Sequence, residues 1–312
     1  MKIVILDQAT LGSDIDMGCI EAFGTVVSYL YTTADETVSR LKDADIVITN
    51  KVVIDKTVIQ NTNLKLICVA ATGMNNIDLD FAKKQGILVM NVKGYSTPSV
   101  VQTTFAMALH FLGNISYFDH YTKSKNGWAK SPVFTNLERP FHDIEDKTWG
   151  IIGLGTIGKK VAYIAESFGA NILYYSTSGR NRDSDFQRTT LDDLLSTSDI
   201  ISIHAPLTHE TYNLIGKEQL QIMKEDAILL NLGRGGIINE TDLAWYLDNS
   251  QIKVGLDVLE KEPIDPNHPL LKIKEPERLL MTPHIAWASV ESRERLITGI
   301  CNNIAKFLGE KR

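Results

Sequence analysis

The sequence predicts an α/β protein with two domains, each built on a parallel sheet with helices on its faces. Short apolar runs alternate with amphipathic segments over residues 1–100 and again over residues 147–284. This alternation is typical of parallel sheets, because each crossover between parallel strands needs a connection of helix length. The length of 312 residues also favours roughly two domains.

The first hundred residues contain five predicted strands: KIVIL (2–6), GTVVSYLY (24–31), DIVITN (45–50), LKLICVAAT (64–72) and ILVMNV (87–92). Helices are predicted over 17–23, over 33–44 with Thr33 or Asp35 as N-cap, and over 77–86. This segment has no G-x-G-x-x-G motif, so we expect its purpose to differ from dinucleotide binding.

The segment after Pro98 departs from the alternation. SVVQTTFAMALHFLGNISYFDHYTKS (99–124) predicts one long helix that connects the two domains. The following stretch (125–147) has aromatic residues, two prolines and no clear period, which predicts an extended arm. An arm of this kind, together with the long helix, favours packing on a second copy of the chain, so a homodimer is expected.

A glycine motif opens the second domain. An apolar strand at 149–152 precedes GLGTIG (153–158), and a long helical pattern follows it. Gly153 would permit a tight turn, Gly155 would let the backbone approach a pyrophosphate, and Gly158 would let the helix pack on the sheet. The helix N-terminus offers N–H groups and a positive dipole end to the anion. The simpler alternative is a plain turn between a strand and a helix.

The alternation resumes after this motif. Further strands are predicted at NILYYST (171–177), DIISIHAP (199–206), AILLNLG (227–233), KVGLDVLE (253–260) and RLLMTPH (278–284). Helices are predicted at LDDLLSTS (191–198), KEQLQIMK (217–224), NETDLAWYLDNSQ (239–251) and 289–312. Cap candidates are Thr189 or Thr190 for the first of these helices, and Asn239 or Thr241 for the third.

Composition and charge count against several classes of protein. A net charge of −6 without a Lys/Arg run gives no support for nucleic-acid binding. No apolar run approaches the roughly 20 residues needed to cross a bilayer, and MKIVILD predicts a first strand, not a signal peptide. Cys19, Cys68 and Cys301 have no metal-ligand spacing and fit buried thiols in a reducing compartment. We therefore expect no metal site and a cytoplasmic location.

Three polar side chains follow buried strands of the second domain: Arg234 in NLGRGG, Glu262 in LDVLEKEP and His284 in TPHIAW. Ligands bind beyond the carboxyl ends of parallel strands, so all three are expected near the cofactor. Arg234 suits a carboxylate and a keto oxygen through its planar fork, and His284 can donate a proton to that oxygen. Glu262 would hold His284 protonated, because a nearby negative charge favours the imidazolium. Together they fit reduction of a 2-keto acid.

Each of these three has a simpler interpretation when taken alone: a surface arginine, a solvated charge and a structural histidine. Glu260 and Asp257 compete for the acidic role. His204 is the rival histidine, and we interpret it as lining the cofactor. No G-x-S-x-G nucleophile elbow occurs in the sequence.

The ordered motifs resemble those of the D-isomer-specific 2-hydroxyacid dehydrogenase family, over essentially the whole chain: GLGTIG (153–158), HAPLT (204–208), NLGRGG (231–236), GLDVLEKEP (255–263) and TPHIAW (282–287). The resemblance implies two Rossmann-like domains with parallel sheets and an interdomain cleft. Residues 1–100 plus 288–312 would form the substrate domain, and residues 101–287 the NAD(P)-binding domain.

The resemblance also assigns roles to residues. It implies that Arg234, Glu262 and His284 are the catalytic trio. The cofactor-binding residues that it implies are Thr104, Gly153, Gly155, Thr156, Ile157, Gly158, Ser176, Thr177, Arg180, His204, Ala205, Pro206, Thr211, Leu232, Gly233, Asp257, His284 and Ala286.

The first domain resembles the substrate domain of the family. AATGMNNID (70–78) matches a turn whose N–H groups receive the substrate carboxylate, here at Thr72 and Gly73, and Lys51 is expected to line the same cleft. This turn and NVKGYSTPSV (91–100) are most similar to glycerate dehydrogenases, also called hydroxypyruvate reductases.

Cofactor choice depends on the end of the strand NILYY. In NAD-preferring members an acidic residue there binds the ribose 2′-hydroxyl and would repel a 2′-phosphate. This chain has Ser176, Thr177 and Arg180 in that region instead, and hydroxyls with an arginine accept a phosphate. NADP(H), or use of both cofactors, is therefore favoured. The alternative is NAD with the two hydroxyls on its ribose.

Two functions follow from these observations. The first is an NAD(P)-dependent oxidoreductase that interconverts a small 2-keto acid and a D-2-hydroxy acid, with hydroxypyruvate or glyoxylate as substrate. The second is a dinucleotide-sensing regulator, since some relatives of this fold act as corepressors. A regulator does not need substrate-binding groups, and this chain retains the trio and the Thr72-Gly73 turn. The expected partners are a small acid and a second copy, with no nucleic acid and no membrane.

Overall fold

Two separate parallel sheets divide the chain. The computed structural model describes residues 1–183 and 185–309, which fall into two compact units. The first unit contains Met1–Ser96 and the segment that begins at Ala288, and the second contains Thr97–Trp287. The end of the chain therefore returns to the unit in which the chain begins.

The first unit is built on a five-stranded sheet. Its strands are β1 (Lys2–Ile5), β2 (Thr25–Ser28), β3 (Ile46–Thr49), β4 (Leu66–Val69) and β5 (Leu88–Asn91), all parallel, in the order β2-β1-β3-β4-β5. Its first helices are α1 (Gly18–Glu21), α2 (Ala34–Leu41), α3 (Lys56–Gln60) and α4 (Leu79–Lys84). The strand order reverses between β1 and β3, which is the position at which sheets of this class open a crevice for a ligand.

The second unit is built on a seven-stranded sheet. Its parallel strands are β6 (Thr148–Ile152), β7 (Asn171–Tyr175), β8 (Gln187–Arg188), β9 (Ile200–Ile203), β10 (Ile228–Asn231), β11 (Lys253–Leu256) and β12 (Leu279–Met281), in the order β12-β11-β10-β9-β6-β7-β8. Its helices are α5 (Thr97–Gly113), α6 (Ile115–Lys123), α7 (Thr156–Ser167), α8 (Leu191–Thr197), α9 (Lys217–Gln221) and α10 (Glu240–Leu247). The final helix, α11 (Val290–Gly309), belongs to the first unit.

Local signals predicted most of these elements, and the α/β class with two parallel sheets is confirmed. Of the alternative caps, Thr33 begins α2, Thr190 begins α8 and Asn239 begins α10. α3 and β8 were not predicted from the sequence, because their five and two residues are too few to show a hydrophobic period. The last three residues of the predicted final helix, 310–312, lie outside the described residues.

The prediction of one long helix at 99–124 is wrong. α5 and α6 are separate helices, because Asn114 between them has φ 48°, in the left-handed region. Its side-chain amide donates to the Pro140 carbonyl oxygen (2.9 Å). Gly113 and Asn114 form a helix-stop signal that the apolar pattern on either side concealed.

Residues 124–147 form an arm with little regular structure. They contain one turn of 3-10 helix, Trp128–Lys130, and no other helix or strand. Several apolar side chains of the arm face outward, among them Phe134, which is 87% exposed, and Leu137, which is 78% exposed. The lack of regular structure that the missing period indicated is therefore confirmed, and packing of this arm on a second copy stays a prediction.

Trp149 anchors the core of the second unit beneath the glycine motif. It lies in β6, is fully buried, and donates its indole N–H to Ser202 Oγ in the neighbouring β9 (2.9 Å). Its ring centroid lies 5.0 Å from that of Phe105, which packs α5 against the sheet. A buried indole needs such a partner, because an unpaired polar group in a core costs free energy.

The expectation of three free thiols is wrong for two of them. Cys19, in α1, and Cys301, in α11, form a disulfide with 6.5 Å between their Cα atoms. The two helices pack together although the cysteines are 282 residues apart, a contact that no local spacing indicates. Cys68 is free and buried in β4, and burial raises the pKa of its thiol to about 12.

Within residues 1–183 and 185–309, no helix has both the length and the apolar character that a membrane span requires.

We predict that alkylation of protein denatured without reductant will label one of its three cysteines, Cys68, and that prior reduction will expose all three. The measurement is intact-mass spectrometry after treatment with iodoacetamide. Cys68→Ala is the control and should take up no label without reductant. Three labels on unreduced wild-type protein would contradict the disulfide.

Candidate active site

The predicted cofactor and catalytic residues of the second unit lie at one edge of its sheet. Gly153 follows β6, Ser176 follows β7, His204 follows β9, Arg234 comes soon after β10 and Asp257 follows β11. Because the strands are parallel, these ends meet at the same edge. The strand order reverses between β6 and β9, where sheets of this class open a crevice for a ligand.

The glycine motif forms a turn that excludes side chains at two positions. Gly153 has φ 94°, and a Cβ there would lie 2.9 Å from the backbone nitrogen of Ala205. A Cβ on Gly158 would lie 2.2 Å from the Gly153 carbonyl oxygen. Around Gly155, by contrast, no described residue beyond its chain neighbours comes within 4 Å of a Cβ position, so the backbone is open where α7 begins. An open backbone at a helix N-terminus fits the pyrophosphate of a dinucleotide.

The loop after β7 is tied to the glycine turn. Asn181 donates its backbone N–H to Ser176 Oγ (3.3 Å) and its side-chain amide to the Leu154 carbonyl oxygen (3.0 Å). Ser176 is buried, Thr177 is half-buried and Arg180 is exposed. The three residues predicted at the ribose therefore lie in a loop that is anchored on the glycine turn.

A basic residue that the sequence analysis missed reaches the same loop. Arg188, in β8, donates from Nη1 to the Gly179 carbonyl oxygen (3.2 Å). The first carboxylate of the loop, Asp183, lies 2.8 Å from Lys159 Nζ, and the hydrogen bond from this lysine lowers the pKa of Asp183. The loop after β7 thus presents hydroxyls and arginines, while its first carboxylate, Asp183, is already paired with Lys159.

His204 lies at the switch point with its ring nitrogens unpaired. The residue is partly exposed, but Nδ1 and Nε2 are both buried and have no hydrogen-bond partner among the described residues. Burial lowers the pKa of His204 to about 3, so the imidazole is neutral near pH 7. A neutral ring at this crevice suits a residue that lines the cofactor better than a proton donor.

Other members of the predicted cofactor set are engaged within the protein. The Thr211 hydroxyl donates to the Pro206 carbonyl oxygen (2.7 Å) and closes the loop after β9. The Thr104 hydroxyl is buried in α5 and donates to a carbonyl oxygen one helical turn back (2.8 Å). Leu232 is buried directly after β10, and Ala286 is buried in the segment that follows β12.

Arg234 is held by a turn that Asn231 organises. Asn231 is buried at the end of β10, accepts the Gly233 N–H (3.1 Å) and donates to the Arg234 carbonyl oxygen (2.9 Å). The half-buried guanidinium donates from Nη1 to the Gly233 carbonyl oxygen (2.8 Å). A Cβ on Gly235 would lie 1.9 Å from the Leu259 carbonyl oxygen, so this turn rests directly on the loop after β11. Asn231 was not predicted as a site residue, although a polar residue at the end of a buried strand is a usable signal.

Glu262 is the acid that contacts His284. Its Oε2 lies 2.7 Å from His284 Nδ1, and its Oε1 accepts the Leu259 N–H (3.0 Å). The competing Glu260 accepts instead from the Tyr212 hydroxyl (2.9 Å). With Nδ1 directed at the carboxylate, Nε2 is the ring nitrogen on the opposite side of the imidazole.

Asp257 holds the segment that carries His284. Its buried carboxylate accepts Thr282 Oγ1 (2.6 Å), the Ile285 N–H (2.8 Å) and the Ala286 N–H (3.0 Å). His284 has φ 54° and donates its own N–H to the Asp257 carbonyl oxygen (2.9 Å). Burial raises the pKa of Asp257, and the hydrogen bonds that it accepts oppose this shift. Asp257, the second competing acid, therefore fixes the backbone conformation around His284.

The predicted substrate residues of the first unit lie at the carboxyl ends of β3 and β4. Lys51 is exposed, and its backbone N–H donates to Asp7 Oδ2 (2.7 Å), which is also near the Asn50 N–H (3.0 Å). Thr72 and Gly73 follow β4, with Thr72 exposed. Asp7 is 5% exposed and was missed, although an acidic residue directly after an apolar strand was visible in the sequence.

The sheet edge of the second unit suits reduction of a carbonyl compound. It offers an arginine fork for an anion, an imidazole supported by a carboxylate for proton transfer, and an open glycine turn for a dinucleotide. Throughout the part of the chain that the structure describes, no group of three or more His, Cys, Asp or Glu side chains could hold a metal ion.

Comparison with known proteins identifies the family. Residues 105–286, more than half of the chain, match the NAD binding domain of D-isomer specific 2-hydroxyacid dehydrogenases. A hydroxypyruvate reductase of Blautia hydrogenotrophica is 37% identical over 319 residues, which cover 99% of this chain and 97% of that protein. A glycerate dehydrogenase of Methylorubrum extorquens is 36% identical over 281 residues, or 89% of this chain and 87% of that protein. The chain belongs to the D-2-hydroxyacid dehydrogenase family.

Solved structures support the same assignment. An acyclic imino acid reductase in complex with NADPH and D-Arg has a TM-score of 0.86 and 28% identity, covering 100% of this chain and 98% of that one. D-lactate dehydrogenase from Aquifex aeolicus, complexed with NAD and lactic acid, has a TM-score of 0.84 and 25% identity, covering 99% and 96%. The predicted fold of two Rossmann-like domains is confirmed. As a D-2-hydroxyacid dehydrogenase the protein is an oxidoreductase that uses a nicotinamide dinucleotide.

We predict that the wild-type protein loses more stability on acidification than His204→Gln. The His204 pKa is about 3 in the folded state against 6.5 for a free side chain, so between these values the unfolded chain binds one more proton. Below pH 6.5 the free energy of unfolding should fall by about 1.4 kcal/mol more per pH unit in the wild type than in the variant.

Urea unfolding at a series of pH values measures this difference. His142→Gln, a change at an exposed histidine, is the control and should keep the wild-type slope. Equal slopes for wild type and His204→Gln would contradict a buried, neutral imidazole.

Proposed function

We propose that this protein reduces hydroxypyruvate or glyoxylate to the corresponding 2-hydroxy acid, acts on the D isomer where the acid is chiral, and catalyses the reverse oxidation. The observation that carries the proposal is the 2.7 Å contact between His284 Nδ1 and Glu262 Oε2 at the sheet edge that also bears Arg234. The names of the relatives in Blautia hydrogenotrophica and Methylorubrum extorquens support the choice of substrate.

His284 acts as the general acid in reduction. Glu262 accepts the Nδ1 proton and favours the imidazolium, because a carboxylate beside a histidine stabilises its positive form. Nε2 then gives its proton to the keto oxygen as negative charge develops there, and the neutral ring takes that proton back in oxidation. The fork of Arg234 binds the carboxylate and the keto oxygen and so fixes the carbonyl group in one orientation.

The cofactor site fits a dinucleotide on the glycine turn, and the cofactor supplies the hydride when bound. Gly153 and Gly158 admit no Cβ, and the open backbone at Gly155 would receive the pyrophosphate. We propose that NADP(H) is preferred, because Ser176 and Arg180 stand where an acid would exclude a 2′-phosphate. Structural neighbours bind either cofactor: one is complexed with NADPH and another with NAD.

The first unit is proposed to bind the substrate. The Thr72-Gly73 turn would receive the substrate carboxylate through backbone N–H groups, with Lys51 nearby as a positive charge. Asp7 would contribute indirectly, because it fixes the backbone on which Lys51 stands. This division assigns the carboxylate-binding turn to Met1–Ser96, and it assigns the cofactor site, together with Arg234, to Thr97–Trp287.

A homodimer is proposed from the exposed apolar side chains around α6 and the arm. Ile115, Phe134, Leu137 and Phe141 are 66%, 87%, 78% and 58% exposed, and clustered apolar exposure of this kind favours an interface. Light scattering should give twice the chain mass at micromolar concentration. A monomeric mass would remove this part of the proposal.

A cytoplasmic location is proposed from the sequence and is opposed by one feature of the structure. The Cys19–Cys301 disulfide is uncommon for reducing compartments. The free, buried Cys68 thiol is compatible with either kind of compartment.

The proposed reaction is tested by keto-acid-dependent oxidation of the reduced cofactor, followed at 340 nm. The assay compares hydroxypyruvate, glyoxylate, pyruvate and phenylpyruvate with both NADH and NADPH. We expect the highest kcat/KM with hydroxypyruvate or glyoxylate. Absence of turnover with all four acids and both cofactors would reject the proposal.

We predict that His284→Ala lowers kcat/KM for reduction roughly 10²–10⁴-fold, because the proton donor is lost. Arg234→Lys should do comparable harm, since an ammonium group cannot reproduce the planar fork. Steady-state kinetics measures both losses, and fluorescence titration with reduced cofactor should give a dissociation constant near the wild-type value. His142→Ala is the control at an exposed histidine. Near-wild-type turnover by His284→Ala would remove it from the mechanism.

We predict that Ser176→Asp impairs use of NADPH and spares or improves use of NADH. A carboxylate at this position would stand beside the 2′-phosphate and repel it. The measurement is the ratio of kcat/KM with the two cofactors, and Ser196→Asp, an equal charge change on the exposed face of α8, is the control. An unchanged ratio would show that Ser176 is not at the ribose.

A further inference from the structure

We propose that Glu240 and His268 are positioning residues that hold the loop 259–262 so that Glu262 meets His284. Its effect on catalysis rests on the proposed function, but the hydrogen bonds from which it is argued do not depend on that function. Neither residue was selected from the sequence as part of the site. Glu240 begins α10, and His268 lies further along the segment after β11 that also carries Glu262.

Glu240 is a buried carboxylate whose two oxygens are both used. It is the first residue of α10, and its side chain is 10% exposed. Oε1 accepts the backbone N–H of Glu260 at 2.6 Å, and Oε2 lies 2.9 Å from His268 Nε2. Burial of a carboxylate costs free energy unless such bonds offset it. Asn239 already caps α10 through the Asp242 N–H (3.0 Å), so the helix does not require Glu240 for its start.

His268 is fixed in the orientation that serves Glu240. Its Nδ1 accepts the Leu270 N–H (3.3 Å), so in the neutral ring the hydrogen is on Nε2, which donates to the carboxylate. The side chain is 14% exposed. The backbone N–H of His268 donates to the Asp265 carbonyl oxygen (2.9 Å), which fixes the turn that carries the ring. The histidine therefore orients the acid from the side away from the loop.

The bond from Glu260 to Glu240 lies within the turn that places Glu262. In this turn the Leu259 N–H donates to Glu262 Oε1 (3.0 Å), and Glu262 Oε2 reaches His284 at 2.7 Å. The Glu260 side chain points to a different partner, the Tyr212 hydroxyl (2.9 Å), so Glu240 is the group that holds the backbone at this residue. One backbone bond thus anchors the middle of a four-residue turn.

The same turn supports the arginine. A Cβ on Gly235 would lie 1.9 Å from the Leu259 carbonyl oxygen, so the segment after Arg234 rests on the backbone that Glu240 anchors. Loosening of the loop would therefore disturb the contact to the histidine and the seat of the arginine together. Glu240 acts through the loop and not on the substrate. Its removal should therefore alter the titration of His284 only while Glu262 is present.

The test is a histidine NMR titration on the full chain with ¹³C-labelled imidazoles, in wild type, Glu240→Gln, Glu262→Gln and the double variant. The His284 signal is assigned by its loss in His284→Gln. Two carboxyl groups face His284, Glu262 and Asp257, and Asp257 is unchanged throughout. With the side chain in its present place, a glutamine at 240 puts an NH₂ donor where one of the two acceptor oxygens stands, so it loses either the bond from the Glu260 N–H or the bond from His268 Nε2.

We expect Glu262→Gln to move the His284 titration midpoint to lower pH, since the imidazolium loses its partner. Glu240→Gln should produce a smaller shift in the same direction, and the double variant should match Glu262→Gln alone. A wild-type midpoint in Glu240→Gln would overturn the proposal. So would additive shifts in the double variant, which would mean that Glu240 acts through its own charge.

Two further variants complete the design. Asp248→Asn is the matched control, because this carboxylate follows the same helix and also accepts a distant backbone N–H, that of Lys274 (2.8 Å). It should leave the midpoint unchanged. His268→Asn removes the ring nitrogen that bonds to Glu240 Oε2 and should reproduce the Glu240→Gln shift; it replaces that variant if Glu240→Gln does not fold.

The titration needs no turnover, so it separates this proposal from the proposed reaction. Inactivity of the wild type towards every keto acid, with the expected shifts intact, would reject the reaction and keep the positioning role. Normal wild-type activity with an unchanged His284 midpoint in Glu240→Gln would keep the reaction and reject the positioning role. Where both proposals hold, the pH profile of kcat/KM for reduction should move with the NMR midpoint.

Discussion

The buried carboxylate of Asp257 is the constraint on which the candidate site depends. It gathers Thr282 Oγ1 and the N–H groups of Ile285 and Ala286, and its own carbonyl oxygen accepts the His284 N–H. These bonds span the end of β11 and the segment after β12, so they join two neighbouring strands at their carboxyl ends. They also hold His284 at φ 54°, a conformation that a residue other than glycine keeps only when its surroundings impose it.

Close contact between loops then brings the chemical groups together. Gly153 and Gly233 approach the backbone of Ala205, and Gly235 approaches that of Leu259, at distances that no Cβ would permit. These contacts lock the loops after β6, β9, β10 and β11 against one another. Ordering of these loops on ligand binding costs little free energy, because their hydrogen bonds are already made within the protein. The network around Glu240 extends this support to the loop of the acid.

Much of the site could be predicted from the sequence because its signals are local. The glycine turn, the strand ends and the choice of Glu262 over its neighbours depend on a few adjacent residues or on an ordered set of motifs. The missed features depend on partners that only packing brings together: the backbone bonds to Asp7, the histidine partner of Glu240, and the Cys19–Cys301 disulfide. The break at Asn114 was missed for a different reason, since apolar residues on both sides continue the helical pattern.

In the proposed reaction, the Glu262 carboxylate favours the imidazolium of His284, which gives its proton to the keto oxygen. The measurement that tests it most directly is kcat/KM for reduction against pH in wild type and Glu262→Gln. We predict that the wild-type rate falls as pH rises through the histidine titration, and that this fall occurs at lower pH in the variant, because the imidazolium has lost its partner. Oxidation should rise with pH over the same range. Superimposable reduction profiles for the two proteins would contradict the account.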